Sequence, residues 1–257
     1  MDKEKRTDLI ILAIIFLIST FIILYFRLSY LPTVLIYFGI PSIYLSFKKT
    51  NIIKKTATYS ILASFIPVFV FDYIFHVSNV WYETSTIGLR IFNSFPADVF
   101  IWGFLYFYII IAFYEYFFDV DLDKKRFSKN IRYAVFFLLV ICFLFGLTYS
   151  LNKEMLVIKN FYIITLLIFA FIPLILVLYN YPRLIKKFVI QDVLFILPVI
   201  TYELVAVYLG QWEFRGNDYI GWVNLFRIGF PFEELLFLIF SVPTVLGIYE
   251  FFADDLK

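Results

Sequence analysis

"GFPFEELLFLIF", residues 229–240, sets two adjacent glutamates, Glu233 and Glu234, at the mouth of an apolar run long enough to enter a bilayer. A second stretch, "NSFPADVFIW" (93–102), repeats the design: Pro96 precedes Asp98 as Pro231 precedes Glu233, while Val99 stands where the later copy has Glu234. Offsets of 131 to 135 residues extend the match. They align Tyr30 with Tyr162, Pro41 with Pro173, Pro67 with Pro198, Asp72 with Glu203, Trp81 with Trp212, Glu115 with Glu250 and Asp119 with Asp254. Leucine and phenylalanine matches carry little weight in so apolar a chain, but prolines, tryptophans and acids are scarce and fall in register together. The pattern reads as an internal duplication.

The chain is 63% hydrophobic, 23% aromatic and 16% charged, with a mean hydropathy of +0.89. That is more apolar surface than a soluble domain of 257 residues can bury. The net charge of +2 gives no electrostatic footprint for nucleic acid. One cysteine, Cys142, and one histidine, His76, exclude a disulfide framework, a Cys/His metal cluster and a Ser-His-Asp set.

Eight apolar runs of bilayer-crossing length occur at about 8–26, 30–47, 57–77, 98–118, 132–150, 160–179, 190–210 and 233–253. The residues from Met1 to Arg6 lead into the first without a small-residue cleavage site, which suits a retained span. With the N-terminus inside, 16 Lys and Arg fall in cytoplasmic segments and six (Arg27, Arg90, Lys153, Lys159, Arg215, Arg227) outside. The expectation is an all-α integral membrane protein of the cell membrane with both termini cytoplasmic. Its eight transmembrane helices form two tandem four-helix repeats in the same orientation, related by an axis along the membrane normal. The repeats cover 1–122 and 132–257, joined by a polar cytoplasmic linker at 123–131.

This topology gathers acids and aromatics into two clusters at the outer side, one in each repeat. Asp72 and Glu203 lie inside their apolar runs, where a carboxylate costs on the order of 2.5 to 3.5 kcal/mol at the bilayer centre and less toward the ends. Trp81 with Glu83, and Trp212 with Glu213, follow in outer loops. The bland reading of Pro-x-Glu-Glu is a helix start, with proline in the first turn and acids favoured by the helix dipole. The functional reading is acid–base chemistry, since burial and a neighbouring acid keep a carboxyl protonated for donation. Asp72 and His76, spaced i and i+4, predict a shared helix face and a polar contact. The tryptophans read as interface belt or as faces for a bound cation or polyene. Glu115 and Glu250 sit near inner span ends, placed to snorkel or to pair with linker cations. Asp119, Asp121 and Asp123 are superficially similar to the Mg-binding motifs of membrane prenyltransferases, although a solvated linker explains them as well.

The stretch 212–252 resembles the heterodimeric-type lycopene cyclase domain, found as paired small membrane subunits or as fused tandem domains. That domain carries an acid in a span, a Trp-aromatic stretch and a Pro-x-Glu-Glu or Pro-x-Glu-Asp motif. Glu203, Trp212, Pro231, Glu233 and Glu234 fall on those positions. The resemblance covers about 30–118 and 160–253, and Val99 is its departure in the first copy. It implies cofactor-independent cyclisation of the linear ends of lycopene to β-rings, giving γ-carotene and then β-carotene, with lycopene or a related linear carotenoid and the bilayer as the only partners.

In that scheme Glu233 or Glu234 donates the proton, Glu203 and Asp98 serve as base or hold the acid neutral, and Asp72 is a further catalytic candidate. Trp81, Trp212 and Pro231 line the substrate site. Either Asp98 suffices in the first copy or that copy is scaffold. The absence of a G-x-G-x-x-G agrees with a non-redox enzyme lacking a flavin-binding domain, and the resemblance implies no cofactor or metal. The other readings are a membrane transporter, a carotenoid-binding protein or a Mg-dependent prenyltransferase, and the sequence leaves homo-oligomerisation open.

Overall fold

The computed structural model describes residues 3–119 and 128–252. Eight of the described helices are long and apolar enough to cross a membrane, as a multi-pass membrane protein requires. They are α1 (Lys3–Phe26), α2 (Tyr30–Lys48), α3 (Thr50–Val77), α4 (Asp98–Phe117), α5 (Ile131–Leu156), α6 (Phe161–Asn180), α7 (Leu184–Tyr208) and α8 (Phe232–Phe252). Each coincides with an expected apolar run. The ends run longer where polar residues such as Lys54 and Lys55 of α3 continue the helix beyond its apolar part. The expected linker lies outside the described residues from 123 to 127.

Three helices contain a π-helical segment: Leu35–Gly39 in α2, Val68–Asp72 in α3 and Leu166–Phe171 in α6. Each lies next to a proline (Pro41, Pro67 or Pro173), whose missing N–H and bulky ring disturb the α-helical ladder. In α3 the widened turn ends on Asp72.

The structure adds to the all-α expectation six short strands, all in the segments before α4 and α8. β1 (Trp81–Glu83), β2 (Arg90–Ile91) and β3 (Phe95–Pro96) precede α4. β4 (Trp212–Phe214), β5 (Trp222–Leu225) and β6 (Ile228–Pro231) precede α8. β2 pairs with β3 and β5 with β6 as hairpins, while β1 pairs antiparallel with β4 across the two halves of the chain. In that register Tyr82 faces Glu213, with Trp81 opposite Phe214 and Glu83 opposite Trp212. The strands define one end of the helix bundle.

The centre of the bundle is α4 against α8. Tyr106 Oη and Ser241 Oγ meet at 2.5 Å. Nearer the other end, Tyr114 donates to Glu250 and Tyr249 donates to Glu115, a reciprocal exchange between the two helices. Glu115 is also paired with Lys55 at 3.2 Å and Lys49 at 3.5 Å. Both glutamates are thus buried in side-chain networks instead of snorkelling to an interface.

Helix α4 approaches α3 so closely that a Cβ on Gly103 would lie 2.8 Å from Val68 Cγ2. α1 packs on α2 and α7, and its buried Asp8 accepts from Tyr44 Oη at 2.5 Å and from Tyr116 while pairing with Lys48 at 2.9 Å. α5 packs on α3 and α8 and buries 6% of its apolar window, leaving a leucine- and phenylalanine-rich surface outward.

Candidate functional site

A cavity of about 810 Å³ opens among α3, α4, α5, α6, α7 and α8. At the strand end it is lined by four carboxyl side chains, Asp72, Glu83, Glu203 and Glu234, and by Tyr30, Trp81, Tyr162, Tyr202 and Trp212. Away from that end the wall is almost wholly apolar and continues to Ile131, Asn180 and Phe251. Glu234 and Phe251 lie seventeen positions apart on one helix. At 1.5 Å per residue this sets the cavity length at roughly 26 Å.

The local fold explains each placement. Glu234, in the first turn of α8, accepts a hydrogen bond from Tyr162 Oη of α6 at 2.5 Å. Glu203, one turn from the end of α7, accepts from the indole of Trp212 at 2.8 Å, which β4 carries back over the helix. Asp72 ends the π-helical segment of α3, and its Oδ2 is buried without a hydrogen bond. Glu83 is held by the β1–β4 pairing, and its Oε2 is likewise buried and unpartnered. Arg90 donates to the Glu83 backbone carbonyl at 2.6 Å and does not reach the carboxylate. Burial pushes the Glu83 carboxyl up to about 7, against the opposing pull of its own backbone N–H, the Trp81 indole and the Arg90 charge.

Asp98 and Glu233 have a different place. Both are fully buried, and neither reaches the cavity. Asp98 Oδ2 accepts from the backbone N–H of Thr86 at 2.5 Å and of Ile87 at 3.3 Å, and Ser85 Oγ lies 3.4 Å from Oδ1. Glu233 Oε1 accepts from the N–H of Ile220 at 2.7 Å. Each acid therefore ties the loop before its helix down onto the helix start. Pro231, buried at the end of β6 opposite Trp222, shapes the same turn into α8 and does not line the cavity.

No protein-family model, no curated protein and no solved structure matches the chain.

Of the eight sequence-derived site residues, the structure gathers Asp72, Glu203, Glu234, Trp81 and Trp212 around one cavity and sets Asp98, Glu233 and Pro231 behind it. The expected contact between Asp72 and His76 is not made. His76 Nδ1 is buried without a partner, and the ring packs 5.7 Å from that of Tyr82. Glu83, Tyr30, Tyr162 and Tyr202 belong to the site but were not among the expected residues. Their signal was present in the pairing of Tyr30 with Tyr162 and in the spacing Trp81-x-Glu83. Among the described residues no group of three or more His, Cys, Asp or Glu is placed to hold a metal. Asp121 and Asp123 lie outside the described residues, as does Asp254.

Proposed function

We propose that the protein is a membrane isomerase that closes rings at the ends of a linear carotenoid such as lycopene by acid–base catalysis. The observation that carries this reading is a long apolar cavity whose carboxyl groups are confined to one end. A slender hydrocarbon laid along it would present one terminus to the acids and the rest of its chain to apolar side chains.

The chemistry is redox-neutral and its atoms balance. The O–H bond of Glu234 breaks as a C–H bond forms at the terminal alkene, leaving a tertiary cation. The neighbouring alkene attacks, forming the ring C–C bond, and a carboxylate removes a ring proton to leave a new C=C. Paired carboxyls in a water-poor wall are the arrangement that splits donor and acceptor roles. The Tyr162 hydroxyl positions Glu234. Trp81, Trp212 and Tyr202 line the acid end and suit a transient cation, and the apolar wall beyond them disfavours water.

The two-repeat architecture, with both halves inserted alike, is part of this proposal. It is supported by the self-inverse register of β1 with β4, the Tyr114–Glu250 and Tyr249–Glu115 exchange, and the matched π segments of α2 and α6. Cytoplasmic termini are supported by the 16-to-6 division of basic residues.

The test is expression in bacteria that accumulate lycopene, with pigments separated by chromatography. γ- or β-carotene is expected with the wild type, and its loss with Glu234→Gln at equal membrane abundance. Unchanged lycopene beside abundant wild-type protein would overturn the reading, and pigment co-purifying without ring formation would leave a carotenoid-binding protein in its place.

A further inference from the structure

The two halves supply the cavity with carboxyls from different places. In α7 and α8 the acids are Glu203 and Glu234; in the first half the residue matching Glu203 is Asp72, but the residue matching Glu234 is Val99. Val99 nonetheless lines the cavity. The β1–β4 register supplies the other half of the comparison. Glu83 and Phe214 each sit two residues beyond the tryptophan of their strand, and both line the cavity. Carboxyl and apolar side chain have thus changed places: Glu83 with Val99 in one half, Phe214 with Glu234 in the other.

We propose that Glu83 pairs with Asp72 to form the carboxylate site that removes the ring proton, facing the Glu203 and Glu234 pair that supplies one. The proposal rests on the cyclisation reading. Glu83 and Asp72 are both buried, line the strand end of the same cavity, and each leaves a carboxyl oxygen, Oε2 and Oδ2, without a hydrogen-bond partner. The other titratable or charged groups near it are Tyr30 and Arg90. In the step assigned to it, a ring C–H bond breaks, its electrons form the new C=C, and the proton ends on a carboxylate oxygen of the pair. That proton balances the one spent by Glu234, so the complete cycle consumes no net proton. A base that titrates near neutrality suits this task.

Two readouts test it. In the lycopene-accumulating strain, Glu83→Gln is expected to lower ring formation by more than about tenfold at equal membrane abundance. Val99→Glu in that background is expected to restore much of it, because position 99 faces the same cavity and the Tyr162 counterpart, Tyr30, also lines it. A Glu83→Gln variant as active as wild type would overturn the proposal, whereas an inactive variant rescued by Val99→Glu cannot be a folding failure.

The second readout is independent of activity: infrared difference spectra of carboxyl protonation in purified protein, between about pH 5 and about pH 9. If Glu83 and Asp72 are a pair, Glu83→Gln and Asp72→Asn each alter the titration of the carboxyl that remains, so their effects do not sum to that of the double variant. Additive spectra would overturn the pairing. Coupled spectra from a protein that leaves lycopene unchanged would retain the pair while overturning cyclisation and the ring-proton role with it.

Discussion

Glu233 and Glu234 are neighbours in sequence with different surroundings, because successive residues on a helix point about 100° apart. One holds Ile220 of the preceding loop and the other enters the cavity. Glu234→Gln is therefore expected to lower ring formation on the order of 10² to 10⁴-fold with little change in thermal stability, as for loss of a positioned acid. Glu233→Gln is expected to do the reverse, costing about 0.5–1.5 kcal/mol of stability through a weakened hydrogen bond to the Ile220 N–H while the folded fraction keeps its activity. Pigment yield and thermal denaturation in detergent separate the two. Glu83 gives a pH dependence whose sign can be worked out. Its folded-state value near 7 lies above the ordinary 4.5, so the folded protein binds the proton more tightly than the unfolded chain. The stability it contributes is full below about 4.5 and is lost as pH rises through about 7, an effect that Glu83→Gln should remove from a denaturation series. As a base it must be ionised, so activity should fall as pH drops below about 7. At this scale the sequence marked the acids, through their cost inside apolar runs, but not their directions. Which of two adjacent glutamates faces the substrate depends on how α8 is rotated against α6.

The eight spans were legible because an apolar run of bilayer length has no cheaper alternative than a helix. The hairpins were not, because strands of two to four residues leave too short an alternation to stand out among so many aromatics. Their turns also use unfavourable residues. Phe226 and Arg227, the two residues joining β5 to β6, have φ of +50° and +69°, in the left-handed region that Asn and Gly occupy at least cost. Phe226 is also 88% exposed, so it contributes little by burial. Replacing the pair by Asn-Gly is expected to stabilise the protein by about 1–2 kcal/mol, read as a higher denaturation temperature. An unchanged or lower midpoint would show that the turn is held by contacts of the two side chains. The positions of α1 and α5 were equally hidden, since both are apolar around most of their circumference and no stripe announces the face that packs.

For the whole molecule, the confinement of acids to one cavity end sets the order of events that the proposed cyclisation predicts. A linear substrate with two reactive termini can offer one at a time, so the one-ring product should appear first and leave before the second ring forms. A time course in isolated membranes should show γ-carotene rising ahead of β-carotene and exchanging with added γ-carotene; simultaneous closure of both ends would contradict the geometry. Ala134, on the outward-facing α5, lines the far part of the cavity. Ala134→Trp is expected to impair a full-length polyene by about tenfold or more while sparing a truncated one, because the obstruction lies beyond the reach of the shorter chain. The recurrence of prolines, tryptophans and acids was readable at this scale because rare residues fall in register. The shared cavity was not, since it exists only once the two halves are set against each other.

The pairing of β1 with β4 places Tyr82 opposite Glu213 at its middle, and each strand meets the other as it would meet a rotated image of itself. An edge of that kind is self-complementary. A polypeptide carrying only the first half therefore has a ready-made surface for a second copy, and the two halves supplied as separate polypeptides compete for homotypic and heterotypic docking through the same few backbone hydrogen bonds.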